Sequence, residues 1–226
     1  MLAYVNQNEM FSWAAPLVWS IRLDPADSSR YACFLSPPQL SLEDVNLYFD
    51  KLETSYQQTY LVTFFHYVED LFVQALGKNH GYNIANVFEC EVKMAHAMTK
   101  TKHNNDDNND REKPKNKKNK NKKTNDSVKP LYHTIRTSDA HTFGLNWPAL
   151  AKLLGYKEEH IPSVCWVPNI DYLTNILQLL KTEWNTEQWR AYWVYIYIRQ
   201  QQLWNKQGQA TSFKFNGTFM RGIKTN

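Results

Sequence analysis

His66, Glu69 and Asp70 lie within "HYVED" at spacings of three and four, which would put three metal-capable side chains on one side of a helix. Such a trio could hold one metal ion. At the edge of a surface helix it is equally a solvated polar face, and that reading takes precedence because no second ligand cluster supports it. His66, His80, His96, His103, His133, His141 and His160 are followed by Tyr, Gly, Ala, Asn, Thr, Thr and Ile. The H-E-x-x-H arrangement, which sets two zinc ligands and a general base on one helical face, is therefore absent. Glu89 and Glu91 are two apart and point to different sides of a helix, so local geometry does not make them an acid/base pair. Neither a glycine-rich phosphate cradle nor a G-x-S-x-G nucleophile turn occurs. No residue is assigned to catalysis, cofactor binding or metal binding from these patterns.

Cys33, Cys90 and Cys165 are widely spaced and odd in number, which leaves room for at most one bridge and writes no Cys-x-x-Cys metal site. Asn125-Asp126-Ser127 and Asn216-Gly217-Thr218 are N-x-S/T triplets that matter only in an exported chain. No apolar run reaches the roughly 18 to 20 residues that a membrane span needs. The opening "MLAYVNQNEMFSWAAPLVW" lacks the charged start and apolar centre of a signal peptide, and localisation is left open.

The net charge of +4 would suggest a nucleic-acid partner if it were spread over the chain. It is not: residues 100–129 hold 11 Lys/Arg against 5 Asp/Glu, leaving 15 against 17 elsewhere. Residues 102–128, "KHNNDDNNDREKPKNKKNKNKKTNDSV", carry one apolar residue, at the last position, and cannot bury enough surface to offset chain entropy. They are expected to be a disordered insertion. No aromatic or Arg-rich patterning interleaves with the lysines, so specific nucleic-acid binding is not expected.

The elements that would position any site are mostly helical. "SLEDVNLYFDKLE" predicts a helix opening at Ser41, with Asp44 in its first turn. Residues 54–76 repeat apolar side chains every three or four positions and end at Gly77, which predicts a long helix. "YNIANVFECEVKMAHAMTK" predicts a third, with Ile84, Val87, Phe88, Val92 and Ala95 as its stripe. "NWPALAKLLGY" predicts a short one with Pro148 in the first turn and Gly155 at its end. "NIDYLTNILQLLKTE" follows an Asn169 cap. "NTEQWRAYWVYIYIRQQQLWNKQ" should run helical to about Gly208 despite the β-propensity of "WVYIYI". Only "SSRYACFL" is a fair strand. The expected fold is mainly α, a multi-helix domain with little β, split as 1–101 and 129–226 around the insertion at 102–128.

These pieces, in this order, resemble the N-terminal helical domain of the neprilysin-type zinc endopeptidases. "LSPPQLSLEDVNLYF" is similar to the family's L-D-Q-P-G-L-G-L-P-x-R-D-Y-Y, keeping Leu35, Pro38, Leu40, Leu42 and Tyr48. Gln39 and Ser41 replace glycines there, and Glu43 a proline. Glu91 and Ala95 match an acidic-then-alanine helix, Asn146 and Trp147 an N-W element, and Tyr172, Leu173, Thr182 and Tyr192 the helices that follow. "FKFNGTFMRG" resembles F-x-F-Y-G-x-x-L-x-G through Phe213, Phe215, Gly217 and Gly222, with Met220 in the leucine place.

The resemblance implies a lid. In that family a C-terminal lobe carries zinc with H-E-x-x-H and E-x-x-x-D, and the N-terminal lobe limits access to peptides. It implies no zinc in this chain, a catalytic lobe on a separate chain as partner, and peptides as ligands only of a completed enzyme. It transfers no site residue, and Arg30 falls in a different place from the family's substrate-binding arginine. Complete members are usually membrane-anchored or secreted. The apolar ends of the chain are those expected of a part of a larger protein, and Phe213, Phe215 and Phe219 are expected to pack poorly or form an exposed patch. The competing expectation is a degenerate helical scaffold reused for binding or structure.

Overall fold

The computed structural model of the chain describes residues 1–6, 16–49, 55–100 and 133–224. The insertion at 102–128, with Asn125, His103 and its lysines, lies outside them. The described residues are mainly helical. A short α1 (Leu2–Val5) precedes the long α2 (Ser55–Leu76), α3 (Ala85–Thr99), α4 (Trp147–Leu153), α5 (Ile170–Glu183), α6 (Glu187–Gln201) and α7 (Lys206–Ser212). α3 packs against α5 and α6, and α2 against α6 and α7.

The predicted signals act where expected in several of these helices. Gly77 adopts a left-handed φ of +88° after α2, and its N–H donates to the Val73 carbonyl, closing the last turn. Asn169 caps α5 as expected by accepting from Tyr172 N–H, and α4, for which no cap is expected, is capped by the Asn146 side chain accepting from Ala149 N–H. α6 holds "WVYIYI" as helix because it is buried on nearly every side: Trp189, Tyr192, Trp193, Tyr195, Ile196 and Ile198 are all in the core. Such a helix shows no amphipathic stripe, and tertiary packing overrides its β-propensity.

Three expectations need correction. Ser41 caps no helix; a single 3₁₀ turn, Val45–Tyr48, starts later, with Asp44 accepting from Asn46 N–H. The helix opening at Glu187 does not run through to Gly208. It passes into a 3₁₀ turn at Gln202–Trp204, breaks at Asn205, and restarts as α7 with Asn205 accepting from Gly208 N–H. Gly208 is therefore inside a helix, where a Cβ would lie 2.3 Å from the Gln202 carbonyl oxygen.

The third correction is the sheet. Beside the expected strand β2 (Tyr31–Ser36), the chain forms β1 (Val18–Leu23), β3 (His133–Arg136) and β4 (Val164–Val167), in the order β1-β2-β4-β3. β1 pairs antiparallel with β2, and β3 antiparallel with β4. The central pair, β2 with β4, is parallel and sets Cys33 opposite Cys165 and Phe34 opposite Trp166. β3 and β4 are four residues each, too short for alternation to stand out in sequence. The sheet joins the helices through Trp19 against Trp147, ring centroids 4.7 Å apart, and through the buried Tyr172 hydroxyl, which donates to the Pro16 carbonyl. No helix among the described residues is long and apolar enough to cross a membrane.

The expectation that Phe213, Phe215 and Phe219 pack poorly or form an exposed patch is corrected as well: it holds for Phe213 only. Phe213–Phe219 is a wide π-helical run continuing α7. Phe215 is buried and stacks on Tyr67 with centroids 4.3 Å apart, Phe219 packs on Tyr60, and Phe213 alone is exposed.

Candidate functional site

Among the described residues, a cluster of buried polar side chains surrounds Glu91, which α3 places in the core beside Val87, Met94 and Ala95. Glu91 Oε1 accepts from Ser41 Oγ at 2.6 Å, and Oε2 from Ser41 N–H at 3.1 Å and from Tyr48 Oη at 2.5 Å. The Ser41 hydroxyl has one proton, which it gives to Glu91. It must then accept from Tyr195 Oη at 2.7 Å and from Arg199 Nη1 at 3.0 Å, which fills both its lone pairs. Tyr48 Oη in turn accepts from Leu42 N–H. One carboxylate and one guanidinium thus meet through a serine, with two tyrosines closing the ring.

Burial pushes the Glu91 carboxyl above its ordinary value, while Arg199 and the hydrogen bonds from Ser41 and Tyr48 pull it back. Tyr48 is held well above the ordinary tyrosine value by burial and then by the Glu91 charge, and Tyr195 well above it by burial. Both therefore remain neutral donors. Glu91 is fully buried and each of its hydrogen-bond neighbours donates to it, so the cluster ties β2's outgoing loop to α3 and α6. Its outer side reaches a cleft of about 310 Å³ lined by Ser41, Glu43, Arg199, Asn216 and Arg221. There Arg221 donates to Glu43 at 2.9 and 3.1 Å.

The His66 trio does not converge. His66 and Asp70 line an open groove of about 470 Å³ with Tyr67, Lys214 and Phe219, whereas Glu69 turns to His80 Nε2 at 3.4 Å. His80 Nδ1 accepts from Tyr82 N–H, so its proton sits on Nε2. Among the described residues no group of three or more His, Cys, Asp or Glu could hold a metal ion, and the described part of the chain does not fit a zinc centre. Glu89 is exposed and Glu91 fully buried, so the two are on different faces as expected. Arg30 is exposed and pairs with Asp27. Asn216 donates through its amide to Ser212 within the π-helical run.

Sequence reasoning missed Ser41, Tyr195 and Arg199 as members of one cluster. The available signal was Glu91 itself, a charge four residues from Val87 and four from Ala95 on the face those residues bury.

With this geometry in place, the comparisons are consistent with one another. The family model for the N-terminal part of peptidase family M13 matches residues 1–226. The chain superposes on the open state of the zinc metalloprotease Zmp1 of Mycobacterium tuberculosis with a TM-score of 0.71 at 18% identity, covering 100% of this chain and 32% of that one. On the inhibitor complex of the same metalloprotease the TM-score is 0.67 at 16% identity, covering 99% and 33%. The chain thus spans about a third of the length of these structures. No curated protein matches the sequence.

Proposed function

Because the chain belongs to peptidase family M13, we propose that it is the non-catalytic, access-limiting portion of a zinc metalloendopeptidase whose catalytic lobe is supplied by other sequence. The observation that carries this reading is coverage. The family's N-terminal pattern runs over all 226 residues, and the same fold occupies about a third of a zinc metalloprotease. Peptides would be its ligands only together with that lobe, and zinc and the general base would reside there. On this reading residues 1–101 and 129–226 form one domain interrupted by the insertion, and none of its residues is a catalytic or metal ligand.

The Glu91 cluster has a role in such a lobe. It fixes the Ser41 loop, one of the segments that resemble the family pattern, against two helices through five buried hydrogen-bonding side chains. A lid that must hold its shape while a second lobe closes on it benefits from a buried polar ring that has one satisfied arrangement. The groove at His66 and Lys214 and the cleft at Glu43 and Arg221 offer that lobe charged, open surfaces.

The test is peptide hydrolysis. The purified chain with added zinc should leave a fluorogenic peptide intact, and chelator-sensitive cleavage should begin on addition of the H-E-x-x-H lobe encoded with it. Zinc-dependent cleavage by this chain alone would overturn the reading. Binding without any gain of cleavage on mixing would favour the reused scaffold.

A further inference from the structure

Three cysteines allow at most one bridge, and the fold singles out which two. Cys33 and Cys165 are directly opposite each other on the parallel strands β2 and β4, whereas Cys90 is in α3, away from the sheet. Neighbouring strands lie about 4.7 to 4.9 Å apart, inside the roughly 4.4 to 6.8 Å that separates the Cα atoms of a disulfide. Residues in register on adjacent strands project to the same face of a sheet, and here that face is buried for both. Cys165 also lines an apolar void of about 10 Å³ together with Leu35, Ile135 and Trp147. Both thiols are free and buried, and among the described residues neither belongs to a group of three or more His, Cys, Asp or Glu that could hold a metal ion.

We propose that Cys33 and Cys165 are a reversible disulfide site, closed by exchange with a low-molecular-weight disulfide of the glutathione type. With Cys33 first, its thiolate attacks one sulfur of the small disulfide and expels one thiolate, which takes up the proton that Cys33 gave. The Cys165 thiolate then attacks the Cys33 sulfur of the mixed disulfide and expels the second small thiol. Two protein thiols are oxidised to one bond, and one small disulfide is reduced to two thiols.

Either thiol can attack first in the open sheet, and the folded surroundings hold both neutral. Burial pushes the Cys33 thiol up only to about 11, with a hydrogen bond from Tyr156 opposing the rise, whereas Cys165 is pushed further by burial and by the neighbouring Cys33. Both thiols are covered in the folded chain, so exchange belongs to the forming or transiently opened sheet. Once closed, the bond ties strands from the two sides of the insertion.

The test uses the whole chain. It is unfolded under reductant, refolded in reduced and oxidised glutathione, alkylated, and mapped by mass spectrometry without reduction. Expected are a fragment carrying Cys33 joined to one carrying Cys165, a chain lighter by two hydrogen atoms before alkylation, and one alkyl group, on Cys90. C90S should retain the bridge, and C33S should leave Cys165 alkylated. The oxidised wild-type chain should unfold at a higher urea concentration than the reduced one, a readout that needs no variant. Three alkylated cysteines, a retained glutathione adduct, or a bond that includes Cys90 would overturn the proposal. Chain folded during expression and treated with oxidised glutathione should give the same map.

Discussion

Glu91 and Ser41, fifty positions apart, share both Ser41's hydroxyl and its backbone N–H in a fully buried contact. The serine passes the interaction on to Arg199, so the three side chains act as a unit. Replacing Glu91 with Leu strands the Arg199 charge and should cost about 3 to 5 kcal/mol, while the double variant Glu91→Leu, Arg199→Met should recover a large part of that loss. Urea unfolding of the two single variants and the double variant checks it. Additive losses would mean that the two charges do not communicate through Ser41.

The close approach of α7 to the turn before it rests on one hydrogen atom. A Cβ at Gly208 would sit 2.3 Å from a backbone oxygen of Gln202, which cannot swing away as a side-chain tip could. Gly208→Ala should therefore destabilise by about 1 to 3 kcal/mol through forced displacement. Gly155→Ala is the control: nothing lies within 4 Å, but φ is +97°, and the cost of about 1 kcal/mol comes from the left-handed backbone. Thermal unfolding should rank Gly208→Ala as the more damaging.

The phenylalanines near the C-terminus separate by burial. Phe215→Ala removes a ring that is stacked on Tyr67 and 2% exposed, and should cost about 3 to 5 kcal/mol. Phe213, at 43% exposure, should cost less than about 1 kcal/mol on the same change. Amide exchange should show protection across Phe215 to Phe219 in the wild-type chain, lost in Phe215→Ala.

Burial raises the Cys33 thiol from 9.0 to about 11, so under reductant the unfolded chain releases this proton about two pH units before the folded one. The neutral thiol's contribution is complete below pH 9 and is lost as pH rises through about 11, an amount of about 2 to 3 kcal/mol. Urea midpoints between pH 8 and 11 should fall more steeply for the wild-type chain than for Cys33→Ser. The buried tyrosines add a slope common to both.

What could be read in the sequence was local. Asn169 announced its helix because a cap is satisfied within three residues, Pro148 marked the first turn of α4, and Gly77 announced an ending because one backbone conformation suffices. Ser41 carried the same cap signal, yet its side chain found a better partner in Glu91, and Asp44 took over the local role three residues later. The sheet was mostly hidden because β3 and β4 gain stability from each other and from β2 rather than from alternation along four residues. The Glu91 cluster was hidden for a related reason: its members come from a loop, a 3₁₀ turn and two helices, and only the fold brings them together. Family resemblance reached further than periodicity, since it rests on the order of many weak motifs instead of the strength of any one.

The parallel pairing of β2 with β4 also sets a timetable. Antiparallel β1 and β2 can zip as a hairpin as soon as both are made, but the partner that covers β2's other edge, β4, is synthesised only after α2, α3 and the insertion. Closing so long a loop is slow and offers no reward until the last contact forms. In the interval β2 presents an unpaired, apolar edge, the kind of surface that captures neighbouring chains. Nascent chains of this protein should therefore depend on chaperone cover until residue 167 emerges, and slowing translation after β2 should lower the yield of folded protein.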